Sequence, residues 1–144
     1  MDDRELVGLA LEARERAYVP YSHWSVGAAL LDAEGRVWQG CNIENAAYTP
    51  SNCAERTAFF KAVSEGVTEF RAIAVVGGPE GEPTRGYCAP CGVCRQVMRE
   101  FCDKDTFRVI LGDSALEPKP YLLREILPES FGPEDLGLPA PKGE

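Results

Sequence analysis

Asn52-Cys53-Ala54-Glu55-Arg56 and, further along, Pro90-Cys91-Gly92-Val93-Cys94-Arg95 each stand where an irregular segment gives way to helical periodicity. From Cys53 to Glu65, Ala54, Ala58 and Ala62 recur with Phe59, Phe60 and Val63 at helical spacing, and Gly66 supplies a left-handed stop. Apolar positions spread this widely predict a helix buried over much of its circumference. From Cys91 to Cys102, with Pro90 just ahead, Val93, Val97, Met98 and Phe101 form a second apolar stripe. Between these helices, Ala72-Ile73-Ala74-Val75-Val76 is a continuous apolar run, the pattern of a central strand covered on both faces.

Working outward, Asp2 to Tyr18 reads as a helix with Leu6, Leu9 or Ala10, Ala13 and Ala17 on one face, Asp2 three residues before Glu5 as a capping box variant, and Pro20 as its stop. Ser25–Leu31 and Arg36–Asn42 flank the tight-turn composition Asp32-Ala33-Glu34-Gly35 and predict a β-hairpin. Asn42 to Ser51 and the Gly- and Pro-rich Gly77 to Ala89 read as loops, and Thr106–Leu111 as another strand. Tyr121 to Leu127 suits a short helix, and residues 128–144 read as an extended, partly mobile tail. The order helix, strand, strand, helix, strand, helix, strand implies one domain over residues 1–144, an α/β fold built as a three-layer α/β/α sandwich with a mixed sheet.

With 144 residues, 44% of them apolar, the chain can bury a core without disulfide staples. The N-terminal segment is charged and amphipathic rather than an apolar leader, so the six cysteines read as reduced thiols of an intracellular, cytoplasmic protein. No apolar run approaches the ~20 residues that cross a bilayer, so no membrane partner is expected. Net charge is −8, from 15 Lys and Arg against 23 Asp and Glu, with no basic patch. That balance argues against a nucleic acid partner and favours a small uncharged substrate.

The chemistry gathers at the two opening segments. Three thiols, Cys53, Cys91 and Cys94, suit a catalytic zinc, which takes three protein ligands and leaves the fourth corner of its tetrahedron for water. Glu55, two residues after Cys53, is placed to carry a proton. Cysteines at helix starts favour thiolate, and Arg56 is placed to offset the excess negative charge of three thiolates. Other readings stay open. Asn52…Glu55 is also a capping box, and Asn52 suits an N-cap. Cys88-x-x-Cys91 is as good a pair as Cys91-x-x-Cys94, so Cys88 as fourth ligand would close a structural zinc-binding module. Cys41 and Cys102 read as buried thiols, and His23 as a surface residue.

The C-x-E…P-C-x-x-C arrangement matches the zinc-deaminase signature. With Tyr21-Ser22, Val26–Leu31, Gly40–Tyr48, Cys53–Thr57, Pro90–Val97 and Leu127–Phe131, the chain resembles, over nearly all its length, the short single-domain cytidine deaminases that act on free nucleosides. The resemblance implies a sheet of about five strands, one Zn²⁺ per chain held by Cys53, Cys91 and Cys94, and Glu55 as the catalytic proton carrier. It implies hydrolytic deamination of cytidine and 2′-deoxycytidine to uridine and 2′-deoxyuridine, with release of ammonia, in pyrimidine salvage. Asn42 and Glu44 are expected on the ribose hydroxyls, and Ala54 on the substrate. Trp24, where the family commonly has Phe, is expected to face the nucleoside. A homotetramer is expected, in which Ala46, Tyr48 and Phe131 complete a neighbour's pocket. A modified nucleoside is the alternative substrate within the same class.

Overall fold

The computed structural model describes residues 1–143. Helix α1 (Asp3–Arg14) is followed by strands β1 (Trp24–Asp32) and β2 (Val37–Cys41), helix α2 (Ala54–Ser64), strand β3 (Phe70–Pro79) and helix α3 (Gly92–Phe101). Strands β4 (Arg108–Leu111) and β5 (Lys119–Leu122), the short helix α4 (Leu123–Ile126) and a 3₁₀ turn (Pro133–Leu136) complete the chain. The sheet order is β2-β1-β3-β4-β5, and only β3 and β4 run parallel, joined by the α3 crossover.

Side chains alternate across β1 and β3 and so build two cores. On one face Ala29, Ala72, Ala74 and Val76 pack against Leu6, Val7 and Ala10 of α1. On the other, Ala28, Leu30, Ile73 and Val75 pack under α2 and α3. The result is the expected α/β sandwich. Phe59 of α2 locks this second face, its ring meeting Phe70, Phe101 and Phe107 at centroid distances of 5.1, 6.2 and 6.2 Å. At Gly40 of β2 an added Cβ would lie 2.6 Å from the Ala58 amide nitrogen, so glycine there lets α2 approach the sheet.

Several boundaries differ from expectation, each for a physical reason. Helix α1 ends at Arg14 rather than Tyr18. Arg16 and Ala17 bond to Ala13 and Arg14 in a tightened last turn, and the Tyr18 amide is diverted to the Asn42 carbonyl. The buried Arg14 side chain fixes this corner by donating to the carbonyls of Ser25 and Pro79. Strand β3 runs past Val76 through Gly77 and Gly78, which pair with Val26 and Ser25, so the following loop begins later than its composition implies. Both helices show one apolar residue to solvent, Phe60 at 48% exposure and Val93 at 58%. Strand β5 lies where the pattern gives no strand signature, because Pro120 is tolerated only at a sheet edge. The tail is not simply extended: Pro133–Leu136 coils, and the residues before it are tied to α3. Among the described residues no helix is long and apolar enough to cross a membrane.

Candidate active site

Cys53 is the N-cap of α2 and Cys91 the N-cap of α3, with Cys94 in the first turn of the latter. Neither cap makes a side-chain capping bond, so the first-turn N–H groups and the positive end of each helix are left to the sulfurs. Asn52 is not the N-cap. Its backbone pairs in both directions with Ile43, and its side chain donates to Thr57 Oγ1 at 3.3 Å, so no Asn52…Glu55 capping box forms. The three sulfurs lie within 4.8 Å of one another, and Cys53 Sγ is 3.9 Å from Cys91 Sγ. A tetrahedral zinc with Zn–S of about 2.3 Å separates its sulfurs by roughly 3.8 Å, so the cluster fits that ion. Among the described residues Cys88 is not in this group. Its thiol faces Gly77 and Trp24: a Cβ at Gly77 would lie 2.6 Å from Cys88 Sγ and 3.2 Å from Trp24 Nε1.

The electrostatics suit a divalent cation. The Cys94 thiol donates to the Cys53 sulfur, burial opposes ionisation, and Arg56 Nη2 donates at 3.1 Å; the net effect lowers the Cys53 pKa to about 5. Cys94 is pushed up, because its proton is held against the Cys53 sulfur in a buried setting. Burial works against the Arg56 charge, but hydrogen bonds to Cys53 and Cys94 more than offset it and raise its pKa. Arg56 Nε is buried without a partner, a desolvated donor held beside the sulfurs. Thiolate ligands bind metal by giving up their protons, and here one is already stabilised as the anion. Glu55 is 4% exposed, and burial pushes its carboxyl up to about 7, with the Cys53 charge adding to the effect.

A cavity of about 570 Å³ opens over this cluster, with Cys53, Ala54, Glu55 and Cys91 on its floor and Asn42, Glu44 and Tyr48 on its rim. Asn42 is held at both ends: Oδ1 accepts from the Val26 amide at 2.9 Å and Nδ2 donates to the Trp24 carbonyl at 2.9 Å. Glu44 accepts from the amides of Tyr21 and Ser22 at 3.0 and 3.1 Å and from the Ser22 hydroxyl at 2.5 Å, bonds that hold its pKa below the ordinary value. Tyr48, in the left-handed region at φ 62°, meets Tyr21 edge-to-face. Trp24, Ala46 and Phe131 do not line this cavity.

The pattern reading also missed the residues that brace the site. Tyr21 and Ser22 hold Glu44 through their amides and the Ser22 hydroxyl, contacts that composition does not reveal. The loop before Cys91 is pinned by Asp113, which accepts from the Thr84 hydroxyl at 2.6 Å and the Gly86 amide at 2.9 Å. The Tyr87 hydroxyl adds a bond to the Glu117 carbonyl at 2.7 Å.

An open mixed sheet with three cysteines and a buried glutamate gathered at two helix N-termini defines a class of metal-dependent hydrolytic sites. Residues 1–110 match the family described as the cytidine and deoxycytidylate deaminase zinc-binding region. A cytidine deaminase of Sporosarcina psychrophila is 49% identical over 140 residues, covering 97% of this chain and 98% of that protein. One from Halalkalibacterium halodurans is 50% identical over 136 residues, covering 94% of this chain and 98% of that protein. The crystal structure of the cytidine deaminase from Burkholderia pseudomallei superposes with a TM-score of 0.82 at 47% identity, over 91% of this chain and 100% of that one. The chain belongs to the cytidine deaminase family, and its cofactor is zinc.

Proposed function

We propose that the protein hydrolyses cytidine and 2′-deoxycytidine to uridine and 2′-deoxyuridine, releasing ammonia, and serves pyrimidine salvage. The observation that carries this reading is Glu55, 4% exposed and adjacent to three clustered sulfurs at the floor of a nucleoside-sized cavity. Cys53, Cys91 and Cys94 hold the zinc. When bound, zinc supplies the Lewis acidity that makes water a nucleophile at neutral pH. Glu55 takes a proton from the attacking water and delivers it to the ring nitrogen next to C4, which makes C4 electrophilic. It then carries the second proton to the departing amine, so one water is consumed for each ammonia released. A carboxyl held near 7 by burial is suited to both directions of transfer.

The remaining side chains bind and orient. Arg56 holds the sulfurs and balances their charge. The Ala54 amide, in the first turn of α2, has no acceptor within its helix and is offered to the base. Asn42 and Glu44 each keep lone pairs or a proton beyond their internal bonds, as a ribose hydroxyl that both donates and accepts requires. Glu44 also repels a phosphate, which favours free nucleosides over nucleotides and nucleic acid.

Tyr48 is 72% exposed and Phe131 58%, apolar surface left bare within one chain. This supports a homotetramer in which they, with Ala46, complete a neighbour's pocket. Trp24 does not reach the cavity wall itself but is hydrogen-bonded to Cys88, which does, so its effect on the base is exerted through that thiol. Six unpaired cysteines support a reducing, cytoplasmic setting.

The test is cytidine turnover, followed by its ultraviolet change, on protein whose zinc is assayed in the same preparation. Conversion to uridine with one zinc per chain is expected. A full zinc complement without turnover would overturn the reading.

A further inference from the structure

Arg99, in α3, is 3% exposed and is not among the residues that line the cavity. Its guanidinium is instead spent on the C-terminal segment. Nε donates to Ser130 Oγ at 2.8 Å, and Nη2 pairs with Glu134 Oε1 at 2.9 Å. A side chain at Gly132 would collide with the guanidinium, so the chain passes directly over it. One turn earlier on the same helix, Gln96 Nε2 donates to the Phe131 carbonyl at 2.8 Å, and the Gly132 amide is closed onto Asp135 at 2.9 Å. Residues 130–135 are therefore fixed on both sides of Phe131, while the Phe131 ring remains 58% exposed.

Burying a guanidinium is costly unless it is paired and hydrogen-bonded, and here Nε and Nη2 find their partners in Ser130 and Glu134, on either side of Phe131. The same ten-residue helix carries Cys94 five positions before Arg99 and is capped by Cys91, so the segment bearing the ring is bonded to the helix that supplies two of the three sulfurs.

We propose that Arg99 is the positioning residue for Phe131, fixing its ring in register with the metal site for insertion beside the pocket of a second copy of this chain. This rests on the reading of Phe131 given above and adds the device that makes it work. Rigid presentation lowers the entropy lost when the ring is buried by the neighbour.

The experiment compares the zinc-loaded wild type with Arg99→Met, Phe131→Ala and the double variant, measuring zinc content, kcat and KM for cytidine, and self-association by sedimentation. Truncating a buried interface aromatic typically costs about tenfold in the measured constant. Arg99→Met is expected to keep its zinc, raise KM by about that factor and weaken self-association, as Phe131→Ala does. The double variant is expected to be no worse than Phe131→Ala alone, since one residue acts through the other. Additive losses, or a wild-type KM and assembly in Arg99→Met beside an impaired Phe131→Ala, would overturn the role of Arg99 and leave that of Phe131 standing. A wild-type Phe131→Ala would overturn both. If Arg99→Met does not fold, Ser130→Ala combined with Glu134→Gln removes the partners from the surface side and carries the same expectation.

Discussion

Two carboxylates at different places in this molecule show almost equally little surface, Asp32 at 3% exposure and Glu55 at 4%, and their pKa values move in opposite directions. Asp32 closes the β1–β2 turn. Burial pushes its carboxyl up, but Trp38 Nε1 at 3.0 Å and the amides of Glu34 and Arg36, both at 2.9 Å, outweigh it and hold the pKa below the ordinary range. Glu55 shows as little surface but lies far deeper in the protein and has no such cage, and burial raises it to about 7. Low exposure alone does not decide what a carboxylate does; depth and donors together do. Donors aimed at it make it a permanent anion that organises structure, and their scarcity leaves it a proton carrier.

The comparison breaks most visibly at Glu55. Glu55→Gln keeps the shape and removes the titrating oxygen, so kcat is expected to fall by about 10²–10⁴, the range that general acid–base catalysis contributes. Zinc content, measured on the same sample, should stay at one per chain because the three sulfurs are untouched. Turnover that survives would show that Glu55 is another structural carboxylate. The reciprocal change, Asp32→Asn, should leave kcat alone and lower stability. An amide at this position keeps one oxygen for the Glu34 and Arg36 amides, which share Oδ1, but turns its NH2 towards Trp38 Nε1, and a buried unsatisfied donor costs about 1–3 kcal/mol. Urea unfolding followed by Trp fluorescence measures it, and an unchanged midpoint would mean that the cage around Asp32 carries no net stability.

The same contrast explains what was legible in the sequence. The floor of the site could be read because its geometry is local: C-x-x-C puts Cys91 and Cys94 in one helical turn, and Cys53, Glu55 and Arg56 share another. The layer order followed from apolar periodicity for similar reasons. What stayed hidden depends on contacts far apart in sequence. Arg99 reads as a solvated helix charge until the segment around Ser130 folds back over it. Strand β5 exists only because β4 offers an edge that accepts Pro120. The outward turn of Phe60 and Val93 depends on which side the sheet lies, and helical spacing alone does not encode that. Asp32 itself carried only a turn signal, since its importance comes from Trp38 reaching back across the hairpin.

The smallest expected effect sharpens the comparison through pH. Asp113 resembles Asp32: the Thr84 hydroxyl, then the amides of Ala115, Gly86 and Leu116, hold its pKa below the ordinary value. For both residues the unfolded chain, with an Asp pKa of about 3.9, takes up protons before the folded one does as pH falls. Their stabilisation is therefore fully present above the unfolded pKa and drains away as pH drops through the lower folded values. The urea midpoint difference between wild type and Asp32→Asn should accordingly be flat from neutral pH to about 5 and shrink below about 4, because protonated Asp32 also presents a donor to its cage. Taking the difference cancels the acid loss of zinc, which is common to both proteins. A difference that instead began to shrink near neutral pH would assign Asp32 the raised titration reserved here for Glu55, and the division between a caged and an uncaged carboxylate would fail at its structural end.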